Sequence, residues 1–198
     1  MSAAVNAIAA LLILVLCSVL PSTGCRAEHY VFDAKNTEVR FAYTFGFAVQ
    51  YGRFTSVEGT MEFDEKMPER SHAEARIKTA SLTTGEPFIE DELKSRDFFN
   101  AVGHPEIRFE SRAVRPTGIN IAQMTGEITV NGVTKPVTLE VTIQSRSDPA
   151  LRYEQGSRHF VATARLQRSA FNMTAYTGMV ADEVDIVIDA VLRRASSR

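Results

Sequence analysis

Alternation of apolar and polar side chains dominates the chain from Glu28 onward. In residues 39–44, the large apolar side chains of Val39, Phe41 and Tyr43 occupy every second position. A period of two predicts a strand with one buried side and one side that faces solvent. The pattern returns at residues 73–78, 137–143, 160–166 and 184–192. Strands that are apolar on one side only are typical of antiparallel sheets.

Two local signals interrupt these strands. Asn131-Gly132 separates two alternating runs and predicts a two-residue hairpin of type I′, because Asn and Gly best tolerate the positive φ that both turn positions need. Residues 87–100 break the alternation in another way. Within them, residues 88–96 predict a short helix, since Pro87 suits a first turn, acidic residues come early and basic residues come late.

The runs add up to about eight strands of roughly five to ten residues each, in one domain over residues 28–194. Eight antiparallel strands fit either a closed barrel or a sandwich. Five phenylalanines fall between positions 41 and 63. This aromatic excess favours the barrel, whose interior is either filled by side chains or holds one small ligand. We therefore expect an all-β fold, a single eight-stranded antiparallel barrel with a short helix.

The N-terminal segment predicts export. The first 25 residues carry no charged side chain, and the apolar run at residues 7–20 ends at Pro21. A membrane-spanning helix needs about 17 to 25 apolar residues, so this run is better explained as a signal peptide, residues 1–27, cleaved near Ala27. We expect a periplasmic protein with a disordered tail at residues 195–198. A less favoured alternative is a lipoprotein anchored through Cys25.

Composition excludes several classes of function. The chain has 22 Lys and Arg against 24 Asp and Glu, a net charge of -2, so we expect no binding to nucleic acid. Cys17 and Cys25 both lie in the leader, which leaves the domain without a thiol. The four histidines show no metal-binding spacing, and no serine stands in a nucleophile motif. We expect no metal, no cofactor and no enzymatic activity.

Short motifs in a fixed order resemble those of the YceI-like family over nearly all of residues 28–194. The motifs are Tyr30-Val31-Phe32-Asp33, Gly52-Arg53-Phe54, Gly59-Thr60-Met61-Glu62-Phe63-Asp64, Ala80-Ser81-Leu82-Thr83-Thr84-Gly85, Lys94-Ser95-Arg96-Asp97-Phe98-Phe99-Asn100, His104-Pro105-Glu106-Ile107-Arg108-Phe109 and Gly132-Val133-Thr134-Lys135-Pro136-Val137. The resemblance implies an exported, lipocalin-like barrel that binds a long amphiphile, such as a polyisoprenoid, in its lumen.

Three polar segments depart from the motifs of that family. They are Asp33-Ala34-Lys35-Asn36-Thr37, Ala42-Tyr43-Thr44 and Glu92-Leu93-Lys94-Ser95. Histidines that are usual at these places in the family are absent, so no headgroup contact through histidine carries over to this chain.

We therefore expect an exported protein that sequesters or carries a long apolar amphiphile of the polyisoprenoid, quinone or fatty-amide type. Its tail would gain about 0.8 kcal/mol per buried methylene. The expected lumen residues are Phe41, Tyr43, Phe45, Phe47, Phe54, Met61, Phe63, Phe98, Phe99 and Phe109. The expected headgroup contacts are Arg53, Lys94, Arg96 and Asp97. Because Phe98 and Phe99 are adjacent, we expect one to close the barrel end and the other to anchor the helix.

Two alternatives stay open from the residues alone. One is a solid-cored β module that acts as an interaction or stress-associated partner without a ligand, because core packing explains any single aromatic side chain equally well. The other is an enzyme of unknown chemistry. The pattern does not set the oligomeric state, and a homodimer is compatible with it.

Overall fold

The computed structural model describes residues 27–144 and 156–195. The expected leader up to Arg26, with Cys25, and residues 196–198 of the expected tail lie outside the described residues. The described strands are β1 (Glu28–Phe32), β2 (Glu38–Phe45), β3 (Ala48–Phe54), β4 (Val57–Phe63), β5 (His72–Lys78), β6 (Leu82–Thr83), β7 (Glu106–Gly118), β8 (Ile121–Val130), β9 (Val133–Ile143), β10 (Arg158–Gln167) and β11 (Val180–Arg194). One α-helix, α1 (Pro87–Lys94), and 3₁₀ helices at Pro68–Arg70, Thr79–Ser81 and Arg168–Phe171 complete this part of the chain.

The strands form one closed antiparallel barrel. Strands β1, β4, β5, β7, β8, β9, β10 and β11 pair in that order, and the pairing of β1 with β11 closes the ring. Strand β2 follows β1 in the chain, and β3 precedes β4. The pair β1 and β2 therefore behaves as one long strand with an interruption, and so does the pair β3 and β4. Strand β2 pairs with β11 and β3, while β6 adds to β3. The expected eight-stranded barrel is confirmed, and the sandwich alternative is wrong.

The hairpin between β8 and β9 has the expected turn. Asn131 has φ 49° and Gly132 has φ 75°, between the paired residues Val130 and Val133. A Cβ atom on Gly132 would lie 2.5 Å from the His104 ring, so both backbone conformation and space require glycine here.

Buried side chains form two clusters inside the barrel. One cluster lies at what we call the closed end and includes Tyr30, Met61, Phe63, Phe160 and Leu192. The second lies at what we call the α1 end and includes Phe41, Phe54, Leu93, Phe98 and Phe171. Partly buried Ile128, Leu166 and Ile188 pack against both clusters. These three residues therefore connect the two clusters along the inner wall.

Helix α1 is fixed to the preceding turn by one carboxylate. The Glu90 carboxylate accepts hydrogen bonds from the Thr83 hydroxyl at 2.6 Å, the Thr84 N–H at 2.9 Å and the Gly85 N–H at 3.1 Å. These bonds, with Thr83 the largest cause, lower the pKa of Glu90 to about 2. On the inner side Leu93 is buried, so the helix lies across one end of the barrel.

Candidate functional site

An apolar cavity of about 360 Å³ occupies the barrel interior. Pockets for small molecules usually measure about 300 to 1,000 Å³, so the space is large enough for a ligand. Nearly all of its lining side chains are aliphatic or aromatic, and only Glu92 and Arg168 among them carry a charge. A water-filled interior would leave few hydrogen bonds for the solvent, so the wall favours an apolar occupant.

Small residues keep the middle of the barrel open. Alanines occupy inward positions on three strands that line the cavity, namely Ala73 and Ala75 on β5, Ala162 and Ala164 on β10, and Ala190 on β11. Larger side chains at these positions would fill the interior, as they do in many eight-stranded barrels.

Aromatic packing seals the closed end below this cavity. Phe63 packs edge to face against Phe160, with ring centroids 5.4 Å apart, and also contacts Tyr30 at 6.5 Å. Tyr30 and Phe63 are both buried, yet neither lines the cavity. The cavity therefore ends above them.

The opposite end carries exposed apolar residues that also line the cavity. They are Phe88 and Ile89 on α1, Phe45 at the end of β2, and Tyr176 in the loop before β11. Phe88 is 80% exposed although it lines the cavity, which places it at the mouth. Apolar side chains thus continue from the surface at this end into the cavity.

Tyr176 connects the loop 172–179 to α1 at this mouth. Its hydroxyl donates a hydrogen bond to Glu92 Oε1 at 3.1 Å, and its ring stacks on Phe98 at 6.0 Å. The bond to Glu92 raises the pKa of the Tyr176 hydroxyl. The described contacts between this tyrosine and its neighbours form a small bridge across one side of the opening.

Eight of the ten expected lumen residues line the cavity: Phe41, Tyr43, Phe45, Phe54, Met61, Phe98, Phe99 and Phe109. The other two do not. Phe47 lies at the tip of the hairpin between β2 and β3 and is 109% exposed, because the chain turns away from the barrel there. Phe63 lies in the cluster at the closed end, as described above. Phe47 therefore points away from the barrel interior, and Phe63 lies inside the barrel but below the cavity.

Phe98 and Phe99 both line the cavity, but they pack against different neighbours. They follow α1 in an irregular turn, in which Asn100 has a positive φ of 47°, so the alternation of a regular element does not apply. Phe99 packs on Phe54 at 5.3 Å and on Phe41 at 5.9 Å, while Phe98 stacks on the loop tyrosine.

None of the expected headgroup residues lines the cavity. Arg53 lies on the outer wall, 3.6 Å from Glu38, because its neighbours Gly52 and Phe54 take the inward positions. Lys94 pairs with Glu90 at 3.6 Å along α1. Arg96 and Asp97 are exposed in the turn after the helix. The structure therefore places these four side chains away from the cavity wall.

Arg168 is the polar cavity residue that sequence reasoning missed. It is only 6% exposed, and its guanidinium donates to the carbonyl oxygens of Met173 at 2.6 Å, Ala181 at 3.0 Å and Val180 at 3.1 Å. Among the described residues no carboxylate lies within 4.0 Å of it, so it is a buried cation held by neutral acceptors. The available signal was that Arg168 stands two residues before Ala170, in a segment that continues to Phe171 and Met173.

Tyr43 is a second cavity-lining residue with a polar group, its hydroxyl. Burial raises its pKa, so it stays protonated and can donate a hydrogen bond. Tyr43, Arg168 and Glu92 are thus a few polar residues in an otherwise apolar wall. This is the usual composition of a small-molecule site.

Comparison with known proteins agrees with this architecture. The chain is 34% identical over 143 residues to Protein YceI of Escherichia coli O17:K52:H18, covering 72% of this chain and 73% of that protein. It is 33% identical over 187 residues to a UPF0312 protein of Ectopseudomonas mendocina, covering 92% and 95%. Among the described residues, no helix is long and apolar enough to cross a membrane.

Solved structures share the fold. The crystal structure of Burkholderia cenocepacia BcnA superposes with a TM-score of 0.73 and 27% identity, over 81% of this chain and 98% of that one. A polyisoprenoid binding domain from Saccharophagus degradans gives a TM-score of 0.64 over 85% and 99%, and its 9% identity shows the fold alone. The YceI-like domain profile matches residues 30–192, which is the whole barrel, and the chain therefore belongs to the YceI-like family.

Proposed function

We propose that this protein is an exported carrier that holds one long apolar amphiphile, of the polyisoprenoid, quinone or fatty-amide type, inside its barrel. The observation that carries the proposal is the apolar cavity, which is sealed at the closed end and open at the α1 end. The name of the Saccharophagus degradans neighbour, a polyisoprenoid binding domain, supports the choice of ligand class.

Desolvation would supply most of the affinity. A tail gains about 0.8 kcal/mol for each methylene moved from water into the cavity, so about ten methylenes give roughly 8 kcal/mol before the cost of ordering the tail. A ligand of this kind would place its tail toward Phe63 at the closed end and its head toward the mouth.

Three polar side chains are available to orient the head. The Arg168 guanidinium lines the cavity and donates to three carbonyls among the described residues, and we expect it to donate to a ligand oxygen as well. The Tyr43 hydroxyl can donate, and Glu92 accepts at the mouth. This set replaces Arg53, Lys94, Arg96 and Asp97 in our proposal.

The cavity argues against a solid-cored interaction module, because larger side chains would fill the inward positions of a solid core where this chain has alanines. That the chain is not an enzyme stays a prediction, as does a homodimer. Export also belongs to the proposal, because the apolar leader motivates it. Substitution of Leu14 and Leu16 by lysine should then keep the protein in the cytoplasmic fraction, and an unshortened parent chain in the membrane pellet would contradict cleavage.

Native mass spectrometry of the protein purified from its own cell envelope tests the binding proposal. We expect a mass excess that disappears after organic extraction, and an extracted protein that then takes up one fluorescent polyisoprenoid or fatty probe. An extracted, folded protein that takes up neither kind of probe would contradict the proposal. The same titration with Arg168→Gln, checked for folding by thermal melting, tests the head contact.

A further inference from the structure

Three potential metal ligands meet on the outer wall of the barrel, opposite the cavity side of the sheet. They are His72 and Glu74 on β5 and Glu110 on β7. His72 and Glu74 are two residues apart on one strand, so their side chains share a face. Glu110 is the direct cross-strand partner of Glu74. The barrel register thus brings one imidazole and two carboxylates together from distant parts of the chain.

The three ligand atoms lie within 4.8 Å of one another. A tetrahedral zinc ion with bonds of about 2.1 Å places its ligands roughly 3.4 Å apart, so small side-chain rotations close this cluster around an ion. His72 Nε2 is already 3.4 Å from Glu74 Oε1. All three side chains are partly exposed, which leaves room for water to complete the coordination.

A buried serine, Ser111, contacts the second ring nitrogen of His72. Ser111 is 2% exposed, and its Oγ lies 3.0 Å from His72 Nδ1. The same oxygen accepts the Ala73 N–H at 2.8 Å, which fixes its position. A metal-bound histidine commonly donates a hydrogen bond from its second ring nitrogen to a nearby acceptor. This bond orients the ring and leaves the other nitrogen for the ion.

We propose that His72, Glu74 and Glu110 form a surface site for a divalent transition metal ion, with Zn²⁺ as its representative. One nitrogen and two carboxylate oxygens suit such ions, whereas Ca²⁺ and Mg²⁺ prefer sites made of oxygen alone. The proposal does not depend on the lipid carrier function, because the site lies on the other face of the sheet.

Neighbouring charges of both signs surround the cluster, because Arg76 and Arg108 lie on the same outer face, two residues from Glu74 and Glu110 respectively. Glu62 is the direct cross-strand partner of His72 and adds a further carboxylate to the same outer face. Arg112 donates to Glu110 at 2.8 Å, but it also donates to Glu127 at 2.6 Å. Arg112 can therefore keep one carboxylate partner when Glu110 turns toward a metal ion.

Isothermal titration with Zn²⁺ tests the site in the full chain without a histidine tag. All proteins carry Cys17→Ser and Cys25→Ser, because the leader thiols would bind zinc themselves. His72→Gln and Glu74→Gln each remove one ligand. His29→Gln is the matched control, since His29 is an exposed histidine two strands away, about 9.5 Å by the spacing of neighbouring strands, with Glu62 on the strand between them.

We expect one zinc ion per chain, at least tenfold weaker binding in His72→Gln and in Glu74→Gln, and less than a twofold change in His29→Gln. Paramagnetic Co²⁺ should broaden amide signals around residues 72–74 and 110–111, which locates the ion independently of affinity. A parent that does not bind Zn²⁺ at 100 μM, or a His72→Gln variant that binds as well as the parent, would overturn the proposal.

Discussion

Replacement of Ala164 by leucine distinguishes a hollow barrel from a filled one. Ala164 lies on β10, lines the cavity, and pairs with Ile186 on β11. In a hollow barrel the larger side chain enters free space. In a close-packed interior the same change forces neighbouring side chains out of their rotamers.

The two cases predict changes in stability of opposite sign. Leucine adds three carbons, worth about 2.4 kcal/mol if fully buried, and loses about 0.5 to 1 kcal/mol of side-chain entropy. A hollow barrel should therefore gain about 1 to 2 kcal/mol in its free energy of unfolding. Overpacking of a filled core costs about 1 to 3 kcal/mol. A bound tail would lose space for about three methylenes, which corresponds to roughly 60-fold weaker binding.

Two measurements on the lipid-free protein decide between them. Urea denaturation gives the free energy of unfolding, and titration with a fluorescent fatty probe gives the affinity. Thr163→Leu is the control, because Thr163 is the exposed neighbour on the outer face of the same strand. A loss of more than 1 kcal/mol in Ala164→Leu, with probe affinity unchanged, would refute the hollow barrel.

Three further predictions concern the turn, the helix and the mouth. Gly132→Val should destabilise the fold by about 1 to 3 kcal/mol in thermal melting, because its φ is positive and His104 occupies the space of a Cβ; an unchanged midpoint would contradict this. Glu90 has a pKa lowered to about 2, so the stability it contributes is present above its ordinary pKa of 4.5 and is lost as pH falls toward 2. The melting temperature of Glu90→Gln should thus lie below that of the parent at pH 6, with a difference that shrinks toward pH 3. Tyr176→Phe keeps the ring but removes the exposed bond to Glu92, so stopped-flow uptake of the probe should be a few-fold faster, and an unchanged rate would argue against a bridge.

Strand periodicity explains why so much of the barrel was predictable. The alternation around Phe41 and Tyr43 correctly put both side chains on the inner face, and Asn131-Gly132 specified its own turn. The same rule would have corrected Arg53, which stands between inward Gly52 and Phe54 and must therefore point outward.

Other features depend on contacts that no local pattern contains. Phe47 is as apolar as Phe45, but one lies beyond the turn of the hairpin and the other before it. The cluster of His72, Glu74 and Glu110 is another such feature, because a strand places His72 and Glu74 on one face and only the barrel register adds Glu110. A cavity is the space that side chains leave, and only their joint packing determines its size.

The two ends of the barrel differ in stability, and we expect a ligand to enter and leave only at the less stable α1 end. At the closed end Tyr30 and Leu192 are almost completely buried, and the pairing of β1 with β11 completes the ring there. At the α1 end, apolar Phe88 is exposed and the Tyr176 bond joins the loop to the helix. Because regions with few buried contacts open at the lowest free energy, opening should begin at this mouth and leave the closed end intact. Arg168 holds the base of the loop through three carbonyls, which limits the movement to the part of the loop that covers the cavity.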